Sequence, residues 1–191
     1  MNKLKYIWML IALFSLFSCS DSETEEVNEN TAQQVFNRMK GTYQGTAIVG
    51  TVSGMTSQRV TVVVGDDLTI YDLPLQPIIE RIFTDREQQA EALSAAPYGT
   101  TFRAPIDGIS IMPYQAALTT EDSDLSFSVS VGGTTYQVTA LINTSALMDN
   151  MSNSLSISMI VKELLCNGRS VSMGDTPISY LIDSALRQEQ Q

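Results

Sequence analysis

The chain has 191 residues, a net charge of −10, no histidine and two cysteines. This length suits one domain with a full core, and the acidic balance argues against nucleic acid as a partner. The lack of histidine excludes Ser-His and Cys-His nucleophilic sites and His-ligated zinc, so neither a metal nor a cofactor is expected.

The N-terminus is typical of an export signal. Two lysines precede an apolar run at residues 7–14, which is too short to span the ~30 Å hydrocarbon core of a membrane. The run ends in Leu16-Phe17-Ser18-Cys19, which resembles the lipobox of bacterial lipoproteins. We therefore expect residues 1–18 to be removed and Cys19 to be lipidated. The alternative is an ordinary secretory peptide with a chance cysteine.

An acidic tether is predicted at residues 19–30, because this segment has five acidic residues, no basic residue and few apolar groups. It resembles the surface-export signal of Bacteroidetes lipoproteins, which implies an outer-membrane protein exposed on the cell surface. A spacer on a periplasm-facing lipoprotein is the alternative. Cys166 would be the only other thiol, so we expect a buried, inert cysteine; a reactive thiol or an intermolecular bridge is the other interpretation.

Residues 31–191 are predicted to form a single β-rich domain that opens with a short helix. Asn30 or Thr31 can cap this helix, and Gly41 stands at its expected end. Period-two alternation then predicts strands at 43–49, 58–64 and 68–73.

A helix and a hairpin are predicted next. Pro77 begins an amphipathic segment that we expect to form one inserted helix ending near Pro97. Asp107-Gly108 predicts a hairpin turn that pairs Ile106 with Ile109.

Gly132-Gly133 carries the strongest sheet signal, since a two-residue turn of this kind tolerates positive φ. In that register Val131 pairs with Thr134 and Phe127 pairs with Val138. One face of the hairpin is then apolar and the other polar and uncharged, as expected for a sheet with one side on a core.

The C-terminal third is predicted to hold a strand, a hairpin and a helix. Residues 154–161 alternate as a strand, and Asn167-Gly168 would pair Leu164 with Val171. Thr176-Pro177 has the form of a helix start. The following apolar residues fit a helical stripe: Ile178, Leu181, Ile182, Ala185 and Leu186.

About eight strands in sequence predict an antiparallel meander closed as a barrel, with a β-sandwich as the alternative. A helix running into Gly41-Thr42-Tyr43-Gln44-Gly45 resembles the calycin-like lipoproteins of unknown function found in Bacteroidetes. In the related lipocalins a helix leads into a Gly-x-Trp motif, and Tyr43 stands where that tryptophan would be. The resemblance implies a calycin-like barrel and no activity.

Carboxylate clusters offer two further candidate chemistries. Residues 121–124 could supply oxygen ligands to calcium, but a solvated turn is favoured because the glycine and distal glutamate of a calcium loop are missing. A carboxylate pair for glycoside hydrolysis could come from Asp85, Glu87 and Glu91. All three fall on the polar face of one predicted helix, however, where a soluble helix carries acidic residues in any case. Asp183-Ser184-Ala185 matches a short O-glycosylation motif described for Bacteroidetes.

These observations favour a non-catalytic binding module for a small molecule, lipid or glycan over an enzyme. The ligand is expected in a concavity at the barrel mouth with the helix at 78–83 as a lid. The candidate walls are aromatic: Tyr43, Phe102, Tyr114, Phe127 and Tyr136. The alternatives are a structural or interaction protein of the envelope and a carboxylate-dependent hydrolase. Oligomeric state is left open.

Lipidation is the first prediction that can be tested. A Cys19→Ala variant should lose its acyl label and leave the membrane fraction, because the thiol is the only attachment point in the predicted lipobox. Metabolic labelling with a fatty acid and membrane fractionation measure both effects. An unchanged outer-membrane location would contradict the lipoprotein interpretation.

Overall fold

The computed structural model describes residues 29–51, 54–97 and 100–188, which form three helices and ten strands. The predicted signal, Cys19 and most of the predicted tether lie outside the described residues. Within the described part of the chain, no helix is long and apolar enough to cross a membrane.

In chain order, the elements are α1 (Glu29–Met39), β1 (Gly41–Thr51), β2 (Gly54–Val64), β3 (Asp67–Tyr71), α2 (Gln76–Ile82), α3 (Arg86–Ala95), β4 (Phe102–Ile111), β5 (Gln115–Thr120), β6 (Ser123–Val131), β7 (Thr134–Asp149), β8 (Ser154–Cys166), β9 (Arg169–Ser170) and β10 (Ser179–Arg187).

Eight of the strands close into an antiparallel barrel, in the order β1-β2-β3-β4-β5-β7-β8-β10 and back to β1. The two remaining strands extend this barrel, because β6 pairs with β7 and β9 pairs with β8. The prediction of a mainly β meander closed as a barrel is confirmed.

The β6–β7 hairpin has the register that the sequence predicts. Val131 pairs with Thr134 and Phe127 with Val138 around Gly132 and Gly133, both of which have positive φ. Buried apolar residues alternate with exposed serines along β6, as the period of two requires. The Asn167-Gly168 hairpin is also confirmed, since Val171 N donates to Leu164 O at 2.8 Å.

The two ends of the barrel carry different elements. The N-terminal end holds the start of β1, the β2–β3, β4–β5 and β7–β8 turns and the end of β10. The helix-capped end holds α2 and α3, inserted between β3 and β4, and the β6–β7 turn. α1 packs against β4, and α3 packs against β6.

The predicted C-terminal helix is wrong, because its residues form strand β10 between β1 and β8. Ile182 and Ala185 face the core, whereas Leu181 and Leu186 of the predicted apolar stripe are exposed. Ile182 and Ala185 are three residues apart, a spacing that fits one face of a helix. A register shift between them allows both side chains to face the core within a strand. Backbone pairing of this segment with β1 and β8, and not the local spacing of its apolar residues, therefore determines that it is a strand.

The single inserted helix is also wrong, since the segment forms two helices, α2 and α3. The Asp85 carboxylate accepts hydrogen bonds from Glu87 N and Gln88 N, both at 3.0 Å, and so caps the start of α3. Phe83 and Thr84 separate the helices, and an aspartate just before a helical segment is the signal that predicts this break.

Asp107-Gly108 is not a turn, and the predicted pairing of Ile106 with Ile109 is wrong. β4 continues through these residues with a bulge between Ile106 and Gly108, and the chain reverses only after Ile111. A Cβ on Gly108 would lie 2.6 Å from Thr119 Oγ1. This glycine therefore allows close approach of β5 and does not mark a hairpin.

Barrel closure is predicted to depend on Gly45. A Cβ there would lie 3.0 Å from both Ala185 Cβ and Ile182 Cγ2 of β10, so Gly45→Ala should push the closing strands apart. We expect a loss of about 1–3 kcal/mol in the free energy of unfolding, as for other overpacked sites. Urea denaturation measures it.

Gly50→Ala is the matched control, because nothing lies within 4 Å of a Cβ at that position of the same strand. Equal stability losses in the two variants would show that strand propensity, and not the β1–β10 contact, sets the effect.

Candidate functional site

The predicted aromatic residues do not gather around one cavity. Tyr43 and Phe102 are fully buried, and Phe127 is 8 % exposed in the same core. Tyr136 is half-buried and packs edge-on against Phe83, with ring centroids 5.2 Å apart. Tyr114 lies at the other end of the barrel, in the β4–β5 turn, and is 72 % exposed. A role of these residues in ligand binding stays a prediction.

α2, the predicted lid, acts as a plug at the helix-capped end. Pro77, Ile78 and Ile79 are buried, and Gln76 Nε2 donates to the Glu80 carboxylate at 2.7 Å along the same helix. Beside this plug is a pocket of about 220 Å³. Its described lining is apolar or neutral: Thr56, Gln58, Leu73, Pro74, Leu75, Gln76, Leu93, Ala96, Pro97 and Thr100.

A larger cleft lies between α1 and β4, and we call it the α1–β4 cleft. Its volume is about 500 Å³, within the ~300–1,000 Å³ range of small-molecule sites. It is lined by Ala32, Gln33, Phe36, Asp66, Ile106, Asp107, Gly108 and Ile109. The floor is apolar and the rim carries two carboxylates.

The bulge in β4 shapes this cleft. The register shift between Ile106 and Gly108 bends the strand beside α1, and Ile106 and Ile109 both remain only partly buried against the core. Phe36 is likewise partly buried on the facing side of the helix. Apolar side chains on two elements therefore share a cleft that neither element fills.

The two rim carboxylates have different surroundings. Asp66 forms a 2.9 Å salt bridge with Lys40, and the hydrogen bond from that ammonium group lowers the pKa of Asp66. The same ammonium nitrogen lies 4.9 Å from the ring centroid of Phe36. Asp107, in the bulged part of β4, is exposed and also lines the cleft.

A third depression, of about 970 Å³, lies at the N-terminal end between the start of β1, the β7–β8 turn and the end of β10. Its two basic side chains already have partners. Lys40 binds Asp66, and Arg187 donates to Arg38 O at 3.2 Å and to Lys40 O at 2.7 Å. These carbonyls end α1, so Arg187 stabilises the helix terminus.

Two buried tyrosines anchor the chain around the barrel ends. Tyr43 donates to Met39 O at 2.7 Å, and Tyr180 donates to Pro74 O at 3.1 Å. Burial raises the pKa of both hydroxyls, and for Tyr43 the nearby Arg187 charge partly offsets this effect. Both residues therefore have structural partners in their neutral form.

Three of the carboxylates considered from the sequence, Asp85, Glu91 and Asp122, also have structural partners. Asp122 binds Lys162 at 2.7 Å and Asn143 at 2.8 Å, which lowers the pKa of its carboxyl group. Glu91 accepts from Gly132 N at 2.9 Å and so ties α3 to the β6–β7 turn. Among the described residues, no three acidic or cysteine side chains are placed to hold a metal ion.

Cys166 and Ser184 are the two remaining residues that the sequence singles out. Cys166 is half-buried at the end of β8, and burial raises the pKa of its thiol, which disfavours the reactive thiolate. Ser184 lies in β10, but its side chain is outside the described part of the structure.

The α1–β4 cleft was not among the sites expected from the sequence. Ala32 and Phe36 follow helical spacing, which identifies a buried helix face without showing that part of it borders a cleft. The useful signal is a glycine inside the β4 pattern at Gly108, which marks a bulge as readily as a turn.

Comparison with known proteins gave no match, since no family model, curated protein or solved structure is significantly similar to the chain. The strand pairing establishes an eight-stranded antiparallel barrel. Because the comparisons gave no match, kinship with calycin-like lipoproteins stays a prediction.

Alkaline pH is predicted to weaken the fold through Tyr43 and Tyr180. Their pKa values are raised from 10.0 in the folded chain, so their contribution is complete below about pH 10 and is lost as the pH rises above it. The Tyr43→Phe/Tyr180→Phe variant should lose less stability between pH 8 and pH 11 than the parent chain. Urea denaturation at the two pH values measures the difference.

Tyr114→Phe is the control, since it removes an exposed tyrosine hydroxyl. A double variant that loses as much stability at alkaline pH as the parent chain and this control would contradict the prediction.

Proposed function

We propose that this protein is a non-catalytic binding module of the cell envelope that holds a small apolar or amphipathic molecule in the α1–β4 cleft. The observation that carries the proposal is an unfilled cleft of about 500 Å³ with an apolar floor and a carboxylate at its rim. The cleft matches small-molecule pockets in volume and in apolar lining, and it is more open to solvent than the pocket beside α2.

The lining favours an apolar body over a sugar ring. Ala32, Ile106 and Ile109 offer aliphatic surface, and the aromatic ring of Phe36 already lies beside the Lys40 ammonium group. Asp107 at the rim favours a neutral or cationic head group and disfavours a carboxylate. Among the ligand classes expected from the sequence, a small amphipathic molecule or single-chain lipid is supported best.

A non-catalytic role is supported by the partners of the ionisable groups. Asp66 forms a salt bridge with Lys40, and Asp85 caps the start of α3. Asp122 forms a salt bridge with Lys162 of β8. General acid-base chemistry needs such groups free to exchange protons with a substrate.

An envelope location is supported by the lipobox at Cys19 and by the acidic segment after it. We propose an outer-membrane lipoprotein exposed at the cell surface, with a periplasm-facing orientation as the alternative. Protease added to intact cells separates the two, because only the surface-exposed domain would be digested.

An interaction protein is the second candidate function. Ile160 and Leu181 are 42 % and 48 % exposed on the outer face of neighbouring strands β8 and β10. Such exposed apolar side chains suit contact with another protein.

Filling the cleft is predicted to weaken ligand binding. Ala32→Phe places a ring in the space beside Ile106 and Ile109, so the affinity for the neutral probe N-phenyl-1-naphthylamine should fall by about tenfold or more, a loss near 1.4 kcal/mol. Fluorescence titration measures the affinity. Ala90→Phe is the matched control, because Ala90 is an exposed helical alanine outside the cleft.

The head group is tested with two probes of equal chain length. Dodecyltrimethylammonium should raise the melting temperature more than dodecanoate, and Asp107→Asn should reduce that difference. No probe binding to the parent chain, or equal binding to Ala32→Phe and Ala90→Phe, would refute the cleft as the site and leave the interaction protein as the better function.

A further inference from the structure

Two neighbouring turns at the N-terminal end of the barrel expose large apolar side chains. Met112 and Tyr114 of the β4–β5 turn are 40 % and 72 % exposed, and Met151 of the β7–β8 turn is 80 % exposed. Leu186, at the end of β10 on the same side, is 63 % exposed. We call these four residues the apolar rim.

The backbone holds the two turns together. Asn150 N donates to Tyr114 O at 3.0 Å, and Gln115 pairs with Asp149 across β5 and β7. The Asp149 carboxylate accepts from Met151 N at 2.7 Å and Ser152 N at 3.4 Å, which fixes the β7–β8 turn. The exposed side chains are therefore presented on a hydrogen-bonded support.

The sequence around the two turns is almost free of charge. Residues 108–120 contain no charged residue, and residues 141–161 contain only Asp149, in a chain with 21 acidic and 11 basic residues. Hydrogen bonds from the backbone lower the pKa of Asp149 and occupy its carboxylate. The two turns that carry Met112, Tyr114 and Met151 are thus almost uncharged and partly apolar, and the charged residues at this end, Asp66, Lys40 and Arg187, lie on other segments.

The same end of the barrel is where the chain enters from its N-terminus. α1 leads directly into β1 there, and its residues Ala32 and Phe36 lie beside Asp66 of the β2–β3 turn. Nine residues, 20–28, join Cys19 to the start of α1 at Glu29, and even fully extended this connection reaches only about 35 Å. A lipid on Cys19 would therefore keep the start of α1 within about 35 Å of the membrane surface.

We propose that the apolar rim docks on the phospholipid bilayer that carries the lipid anchor, with Met112, Tyr114 and Met151 inserted among the head groups. Tyrosine is enriched at such interfaces because its ring is apolar and its hydroxyl stays hydrated. No basic patch is needed, since apolar insertion provides the contact. This proposal rests on lipid anchorage at Cys19, which is part of the proposed function.

A single reporter indole tests the docking in the full chain. Trp8, the only tryptophan in the sequence, lies in the predicted signal, so an introduced indole is unique in the processed chain, and Trp8→Phe keeps it unique in a chain that retains the signal. Tyr114→Trp places it on the rim. Tyr71→Trp is the matched control, because Tyr71 is 40 % exposed at the end of β3, toward the helix-capped end. Both chains are reconstituted in phosphatidylcholine vesicles with brominated acyl chains, which quench indoles at membrane depth.

The rim indole should lose about half of its emission or more, as expected for a side chain at interfacial depth, whereas the control indole should be unchanged. Adding Met112→Ser and Met151→Ser should weaken the quenching at position 114. Adding Ile160→Ser and Leu181→Ser on the barrel wall should leave it unchanged.

Three results would overturn the proposal: an unquenched rim indole, equal quenching of both indoles, or a blue shift of the rim indole without quenching, which indicates a protein partner. Mass spectrometry of Cys19 separates the two proposals. Quenching without an acyl group contradicts the anchor alone, and an acyl group without quenching contradicts the docking alone.

Discussion

The pairing of β1 with β10 is the contact on which the rest of the structure depends. It joins the first and last strands of the domain, with Tyr43 opposite Arg187 and Val49 opposite Tyr180. Gly45 lets β1 approach Ala185, and closure in turn fixes α1, because Tyr43 binds Met39 O and Arg187 binds Arg38 O and Lys40 O. One wall of the α1–β4 cleft is α1 itself. The cleft therefore exists only while the barrel is closed.

Local signals predicted the elements that need only local contacts. The predicted register of the β6–β7 hairpin is correct to the residue because a two-residue glycine turn fixes it. A slip of one residue is unfavourable because it would turn the apolar face of the hairpin toward solvent. β10 could not be found in this way. Its apolar spacing fits a helix, and only the pairing with strands distant in the chain makes it a strand. The same limit applies to Gly108, whose purpose is set by Thr119 on the next strand.

The candidate site was harder to predict than the fold. An eight-stranded barrel has an interior just wide enough for side chains to fill, so inward aromatics such as Tyr43 and Phe102 serve as core. The cleft arises where a helix meets a bulged strand, and neither sequence pattern shows the space between them. Asp107 was considered only as a turn residue, although its exposed carboxylate is the group that we propose selects the ligand head group.

Closure by the terminal strands also means that the barrel can be completed only once the last strand of the chain is available. A chain that crosses a membrane from its N-terminus delivers β1 first and β10 last. Until β10 arrives, β1 and β8 present open hydrogen-bonding edges that another unfinished chain can pair with. The sequence separation of these contacts makes folding slow, because a loop of nearly the whole domain must be closed before they form. In a chain exported as we propose, these edges stay unpaired from translocation until β10 completes the barrel.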